Sequence, residues 1–232
     1  MFGQIGGQCA IGAPSSPNQI GGESFIRHVG NDKLILDFHE GSGTVVYDKS
    51  HCGNNGTLAD KDAGTDYPTW LRNELSFDGV NNYININYDA SLICSDLISM
   101  ETVFKTDNVA TEQIFISRYP RWNFQLYQSK PLIQITTLYK QFSTMLSNQK
   151  YHLIITYDEV NTMAYSDGSF DKEEDFTVDI NPGTEDVQIG KLVGYVSTFF
   201  DGIISLVRLY NKKLSGIEAQ QIYLSNRFRG NN

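Results

Sequence analysis

Trp122-Asn123-Phe124-Gln125-Leu126-Tyr127 alternates large apolar and polar side chains over six residues. Side chains along a strand point to opposite faces in turn, so residues 122, 124 and 126 share one face, which is predicted to be buried. Outward from this stretch, short runs rich in β-branched and aromatic residues alternate with Gly, Asn and Asp, the spacing of an all-β sandwich or barrel. Residues 34–38, 44–47, 83–86, 113–118, 132–136 and 151–157 read as further strands. Asp167-Gly168 suits a tight hairpin, since both residues tolerate positive φ. Residues 203–210 are apolar on both faces apart from Ser205 and Arg208, which predicts a strand covered on both sides. One helix is expected: Ser215-Gly216-Ile217-Glu218 fits a capping box and should open a helix running to about Leu224.

Residues 1–28 carry six glycines, with Pro14 and Pro17 around Ser15-Ser16, a composition too broken for a regular element. They read as an N-terminal arm whose apolar members Phe2, Ile5, Ile11 and Ile20 would dock on another subunit or on their own domain. Residues 29–232 then form one domain, and aromatics at 12% supply its core. The formal net charge of −9 argues against nucleic acid or an anionic membrane as partner, because both require a dominant basic surface. The acids concentrate in 158–186, a block expected to face solvent. No apolar run approaches the roughly 20 residues that span a bilayer. The N-terminus lacks the basic opening and apolar stretch of a signal peptide, so the expectation is a chain made without that export route, or one whose leader is removed. Three well-separated cysteines, Cys9, Cys52 and Cys94, do not describe a disulfide framework; free thiols with at most one disulfide are expected.

Several segments, in order, resemble the laminin G-like branch of the concanavalin A-like lectin/glucanase superfamily. They are Leu36-Asp37-Phe38-His39-Glu40-Gly41-Ser42-Gly43, Val46-Tyr47-Asp48-Lys49-Ser50, Gly53-Asn54-Asn55-Gly56-Thr57-Leu58 and Leu75-Ser76-Phe77-Asp78-Gly79. After a less typical middle the likeness resumes at Tyr151-His152-Leu153-Ile154 and Tyr165-Ser166-Asp167-Gly168, and closes with Phe200-Asp201-Gly202 and Val207-Arg208-Leu209-Tyr210-Asn211. The resemblance implies an all-β, concanavalin A-like jelly-roll sandwich of two antiparallel sheets with one short C-terminal helix. Each Phe-Asp-Gly should bury its ring while Asp and Gly bend the chain into the next strand. Two departures stand out: Tyr151 where the family usually has Trp, and Ser205-Leu206 where it usually has an Asp-Glu pair.

Glucanases on this fold cut glycosides with carboxylates alternating along one strand, which places them on one face. No Glu-x-Asp-x-Glu run occurs; Glu173-Glu174-Asp175 is consecutive and reads as loop in the acidic block. Neither a Gly-x-Ser-x-Gly elbow nor a catalytic cysteine setting is present, so no catalytic residues are assigned and no enzyme is expected. His51-Cys52 is the only close pair for zinc and lacks further ligands at a fitting spacing; His152 reads as a packed strand residue. No cofactor is called for beyond structural calcium, for which Asp48, Asn54 and Asp201 are the candidates; the competing reading gives Asp48 and Asp201 backbone turn bonds. For carbohydrate, the candidate stacking rings are Trp70, Tyr119, Trp122 and Tyr195, set against the commoner fate of aromatics, burial.

These readings predict a non-catalytic protein. The first expectation is a virion surface component, a capsid decoration or tail-associated protein, partnered by other subunits through its arm. The alternative is a carbohydrate-binding lectin module of a secreted or cell-surface protein, partnered by glycans.

Overall fold

The computed structural model describes residues 31–229 except 63, 182 and 193–197, with side chains as far as 226. The proposed arm, with Phe2, Ile5, Ile11 and Ile20, and the candidate ring Tyr195 therefore lie outside the described residues. Among the described residues sixteen strands form in chain order. They are β1 (Asp32–Leu36), β2 (Val45–Val46), β3 (Gly56–Asp60), β4 (Thr69–Trp70), β5 (Leu75–Asp78), β6 (Asn82–Ile86), β7 (Ile98–Lys105) and β8 (Gln113–Arg118). The rest are β9 (Trp122–Tyr127), β10 (Lys130–Ile135), β11 (Leu138–Gln141), β12 (Lys150–Tyr157), β13 (Asn161–Ser166), β14 (Ser169–Asp175), β15 (Val187–Ile189) and β16 (Asp201–Tyr210), followed by helix α1 (Gly216–Arg229).

All pairings are antiparallel. The first sheet runs β14-β13-β12-β7-β16-β5-β4, with β1 pairing the far half of β16; the second runs β11-β10-β9-β8-β15-β6-β3-β2. This is a jelly-roll sandwich, and its interior is aromatic. Phe115 stands 4.4 Å from Phe104, 5.1 Å from Phe124 and 5.6 Å from Phe200 between ring centroids, joining the two sheets by tilted contacts of the kind aromatic pairs prefer. Trp122, Phe124 and Leu126 all face this interior, as their alternation requires. β16 is likewise covered on both sides: Ile204, Val207 and Leu209 enter the main core, whereas Tyr210 packs under α1 with Ile154 and Leu214.

Helix α1 begins with the expected box: Glu218 N donates to Ser215 Oγ at 3.3 Å and Ser215 N to Glu218 Oε2 at 3.0 Å. It runs a turn beyond Leu224, because Tyr223 and Asn226 find partners on the first sheet.

Two expectations need correction. Glu173-Glu174-Asp175 is not loop but the end of β14, an edge strand whose side chains stay largely in solvent. Five charged residues among its seven hide the strand from pattern reading, since neither face has to be apolar, and charge on an edge discourages pairing with other chains. The second Phe-Asp-Gly is not a bend. Phe77 and Phe200 are both buried, but Asp201 and Gly202 lie within β16, in register with Asp78 and Phe77. Gly202 has φ +141°, and a Cβ there would fall 2.4 Å from the Lys105 carbonyl oxygen; close backbone approach, not a turn, requires this glycine.

Cys94 is a buried free thiol, pushed up to about 12 by desolvation, and Cys52 is disulfide-bonded. Among the described residues no helix is long and apolar enough to cross a membrane.

Candidate functional site

The outer face of the first sheet carries a cleft of about 520 Å³ beside α1. Its floor follows from strand register. Val103 on β7, His152 on β12 and Leu206 on β16 are cross-strand neighbours pointing outward, and one step along the strands Glu101 pairs with Arg208. One wall is the β4–β5 hairpin with Arg72 and Glu74; the other is Tyr223 of α1 with Asp167 of the β13–β14 turn.

Glu101 anchors this face. It is fully buried, and Arg208 Nη1 reaches both its oxygens at 3.2 Å. The His152 Nε2 atom lies 2.9 Å from Oε1, Asn226 Nδ2 donates to Oε1 at 2.7 Å, and the Tyr210 hydroxyl donates to Oε2. Burial alone would raise the Glu101 pKa, but Arg208 first, then His152 and Tyr210, outweigh it and hold the carboxyl well below the usual range. The same carboxylate outweighs the desolvation of Arg208 and keeps that guanidinium charged. A strand pairing thus becomes a buried ion cluster that α1 closes through Asn226.

Tyr223 is placed by the Asp167-Gly168 hairpin. Both residues have positive φ, +50° and +74°, as the sequence predicted. The bare Gly168 Cα makes room for the ring; a Cβ there would lie 2.7 Å from Tyr223 Cδ1. Tyr223 also rests on His152, with centroids 5.6 Å apart. Asp167 Oδ1 accepts from His152 N at 3.0 Å, tying the turn to the floor.

The opposite wall holds a strained residue. Leu71 and Glu74 exchange backbone hydrogen bonds at 2.8 and 3.1 Å, so Arg72-Asn73 is a two-residue hairpin loop. Arg72 adopts φ +59°, a left-handed conformation that costs a residue with a Cβ about 1 kcal/mol. Glu74 accepts from Lys150 Nζ and from Ser205 Oγ. Burial would raise its pKa, and these two bonds instead leave it lowered.

The outer face of the second sheet differs. Register aligns Gln134, Asn123, Ser117, Gln188, Asn85 and Thr57 across six strands, a row of neutral amides and hydroxyls. Asn123 Nδ2 donates to Gln134 Oε1 at 3.2 Å and Gln188 Nε2 to Asn85 Oδ1 at 3.1 Å. The side-chain oxygens of Asn123, Gln125 and Gln188 are buried without a hydrogen-bond partner.

None of the candidate rings among the described residues lines the cleft. Trp122 is only 2% exposed and belongs to the core, so it offers no face to a sugar; the alternation that predicted a buried strand had already placed it inside. Trp70 is half-buried against the core and donates from Nε1 to the Gly43 carbonyl at 2.8 Å, and Tyr119 is half-buried. The tyrosine rings that do line the cleft are Tyr151 and Tyr223; the sequence marks neither as a cleft residue, since Tyr151 reads only as a strand residue and a helix ring shows no sign of what it covers.

Of the calcium candidates, Asp48 is surrounded by donors. Its Oδ1 accepts from Ile35 N and Ser50 N, both at 2.8 Å, and its Oδ2 from Ser50 Oγ at 2.7 Å and Asn54 N at 2.8 Å. Asn54 turns its amide to the Lys33 carbonyl at 3.0 Å. Asp201 stands away from both: it opens β16 opposite Asp78, whereas Asp48 bonds β1 at the far end of β16. Desolvation, with Asp107 and Asp78 nearby, raises the Asp201 pKa. Among the described residues no three His, Cys, Asp or Glu side chains converge as a metal site.

Two all-antiparallel sheets closed over an aromatic core, with a cleft on an outer face, define a lectin-like jelly-roll module. The chain belongs to the concanavalin A-like lectin/glucanase superfamily, whose laminin G-like profile matches residues 78–220. Among curated proteins no relative matches.

Solved structures share the fold at low identity. The botulinum neurotoxin serotype G binding domain is 18% identical, with a TM-score of 0.65 over 84% of this chain and 51% of that one. Trypanosoma rangeli sialidase in complex with sialic acid is 16% identical, with a TM-score of 0.65 over 86% of this chain and 33% of that one. Domain 4 of AbnA, an extracellular arabinanase from Geobacillus stearothermophilus, in complex with arabinotriose, is 15% identical, with a TM-score of 0.67 over 83% of this chain and 98% of that domain. The chain thus spans about half of the toxin domain and a third of the sialidase, but nearly all of the arabinanase domain.

Proposed function

We propose that this protein is a non-catalytic carbohydrate-binding module that holds a sugar in the cleft beside α1. The observation that carries the reading is the cleft's composition: an apolar floor of Val103 and Leu206 and the Tyr223 ring, rimmed by Asp37, Asp167 and Asn226. A sugar needs both parts, apolar surface for its C–H face and fixed acceptors for its hydroxyls, and the volume falls in the range of small-ligand sites. The likeness to an arabinanase domain solved with arabinotriose supports the class of ligand. Glu101, the carboxylate beneath the site, has both oxygens engaged and no exposed surface, which fits a structural rather than a reacting group. An extracellular or cell-surface setting follows from this reading.

A glycan array followed by calorimetry tests it. Binding of at least one glycan is expected, weakened about tenfold or more in Tyr223→Ala, the scale of losing one buried ring contact. A flat array sinks the proposal, and turnover of a β-glucan by the pure protein would replace binding with hydrolysis.

A role on a virion surface, as a decoration or tail-associated subunit, draws its support from the glycine-rich residues 1–28 with their apolar Phe2, Ile5, Ile11 and Ile20. Deleting 1–28 should then leave a folded monomer that no longer assembles; unchanged assembly counts against it.

A further inference from the structure

We infer that the sugar held in this cleft is an acidic one, carrying a single carboxylate that binds Arg72; the inference rests on the glycan reading above. Three cations line the cleft, and two are already neutralised. Lys150 bridges to Glu74 and Arg208 to Glu101, whereas Arg72 has no acidic partner among the described residues. It also occupies a strained turn position, φ +59°, where glycine would sit without cost. A residue kept against its backbone preference at the mouth of a cleft points to a use for its side chain. Guanidinium matches carboxylate in planar, two-bond geometry, and the contact is charge-assisted.

The remaining groups fix the rest of the ligand. Asp37 lies on the rim, its Oδ1 buried without a hydrogen bond and 3.4 Å from His39 Nδ1. Asp167 and the exposed part of the Asp37 carboxylate can accept sugar hydroxyls, but both residues also repel extra negative charge. A chain dense in sulfate or phosphate is therefore disfavoured, and one carboxylate per bound sugar, as in a uronic acid, suits the balance.

The test titrates the full chain with paired oligosaccharides that differ only in a terminal uronic acid or its carboxyl-reduced neutral form. The acidic member should bind about tenfold or more tightly at low salt, the worth of one charge-assisted contact, and the gap should narrow as salt rises. In Arg72→Gly, which relieves the strained turn, the ratio of the two affinities should fall towards one while thermal stability is kept or raised; Arg72→Gln serves if the glycine variant does not fold. Equal affinities in the native protein, a preference that survives both variants, or tighter binding of a sulfated chain would each overturn the inference while leaving glycan binding intact. Failure of every sugar to bind would remove both.

Discussion

The two outer faces of the sandwich obey the same alternation and carry opposite contents. On the first sheet, register brings Glu101 against Arg208 and packs His152, Tyr210 and Asn226 round the pair, so charge is concentrated and both carboxylate oxygens are engaged, although Arg208 Nε and His152 Nδ1 are buried without a hydrogen-bond partner. On the second, register brings amide against amide, and three side-chain oxygens are left without partners. A charge removed from water needs its counter-charge, whereas a neutral amide survives with a hydrogen bond missing, at a smaller cost. The first face should therefore be brittle and selective, and the second tolerant.

The largest effect is expected from Glu101→Gln, which leaves Arg208 buried without its counter-charge. The loss should be about 3–5 kcal/mol, read from the shift in urea midpoint at constant slope. A loss below about 1 kcal/mol would mean that solvent reaches the pair and that the contrast between the faces is overstated. Next comes Gly168→Ala. The added Cβ meets the Tyr223 ring at a position with φ +74°, so stability should drop by about 1–2 kcal/mol and glycan affinity should fall with it, since the ring is displaced from the cleft. Unaltered affinity would dissociate Tyr223 from the site.

Asp32 sharpens the contrast through pH. Desolvation raises its pKa from 3.8 to about 6, against the opposing pull of Arg208. A raised carboxyl favours the folded state when protonated, so its contribution is fully present below about pH 4 and is lost as pH climbs through about 6. Asp32→Asn should thus stabilise the protein at pH 7 by about 1 kcal/mol, discounted for the solvent this partly exposed group sees, and make no difference at pH 3. Equal stability of the two proteins at pH 7 would show that the group ionises freely. The smallest effect belongs to the second face. Gln125→Leu replaces a buried, unpartnered oxygen with apolar surface and should shift stability by no more than about 0.5 kcal/mol, in either direction, without touching glycan binding. A large loss would mean that this face is as specified as the first.

Much of this was legible from residues alone. The 122–127 alternation, the Asp167-Gly168 turn and the Ser215–Glu218 box are local signals, because each rests on side-chain direction or φ within a few residues. Residues 98–105 carry no strand signature although β7 is central to the first sheet, since buried polar residues such as Ser99, Glu101 and Thr102 break the apolar pattern. β14 was hidden by the charge that suits an edge.

Sequence by itself determined the two-sheet sandwich, its aromatic filling and the C-terminal α-helix, because strand period, turn chemistry and capping act over short range. Only the tertiary structure decided that Glu101, His152, Arg208 and Asn226, spread over 125 residues, would meet, and that Tyr223 rather than Trp122 would face a cleft. Those choices depend on which strands become neighbours and where the helix lands. Both are set by long-range register and packing, which no local pattern encodes.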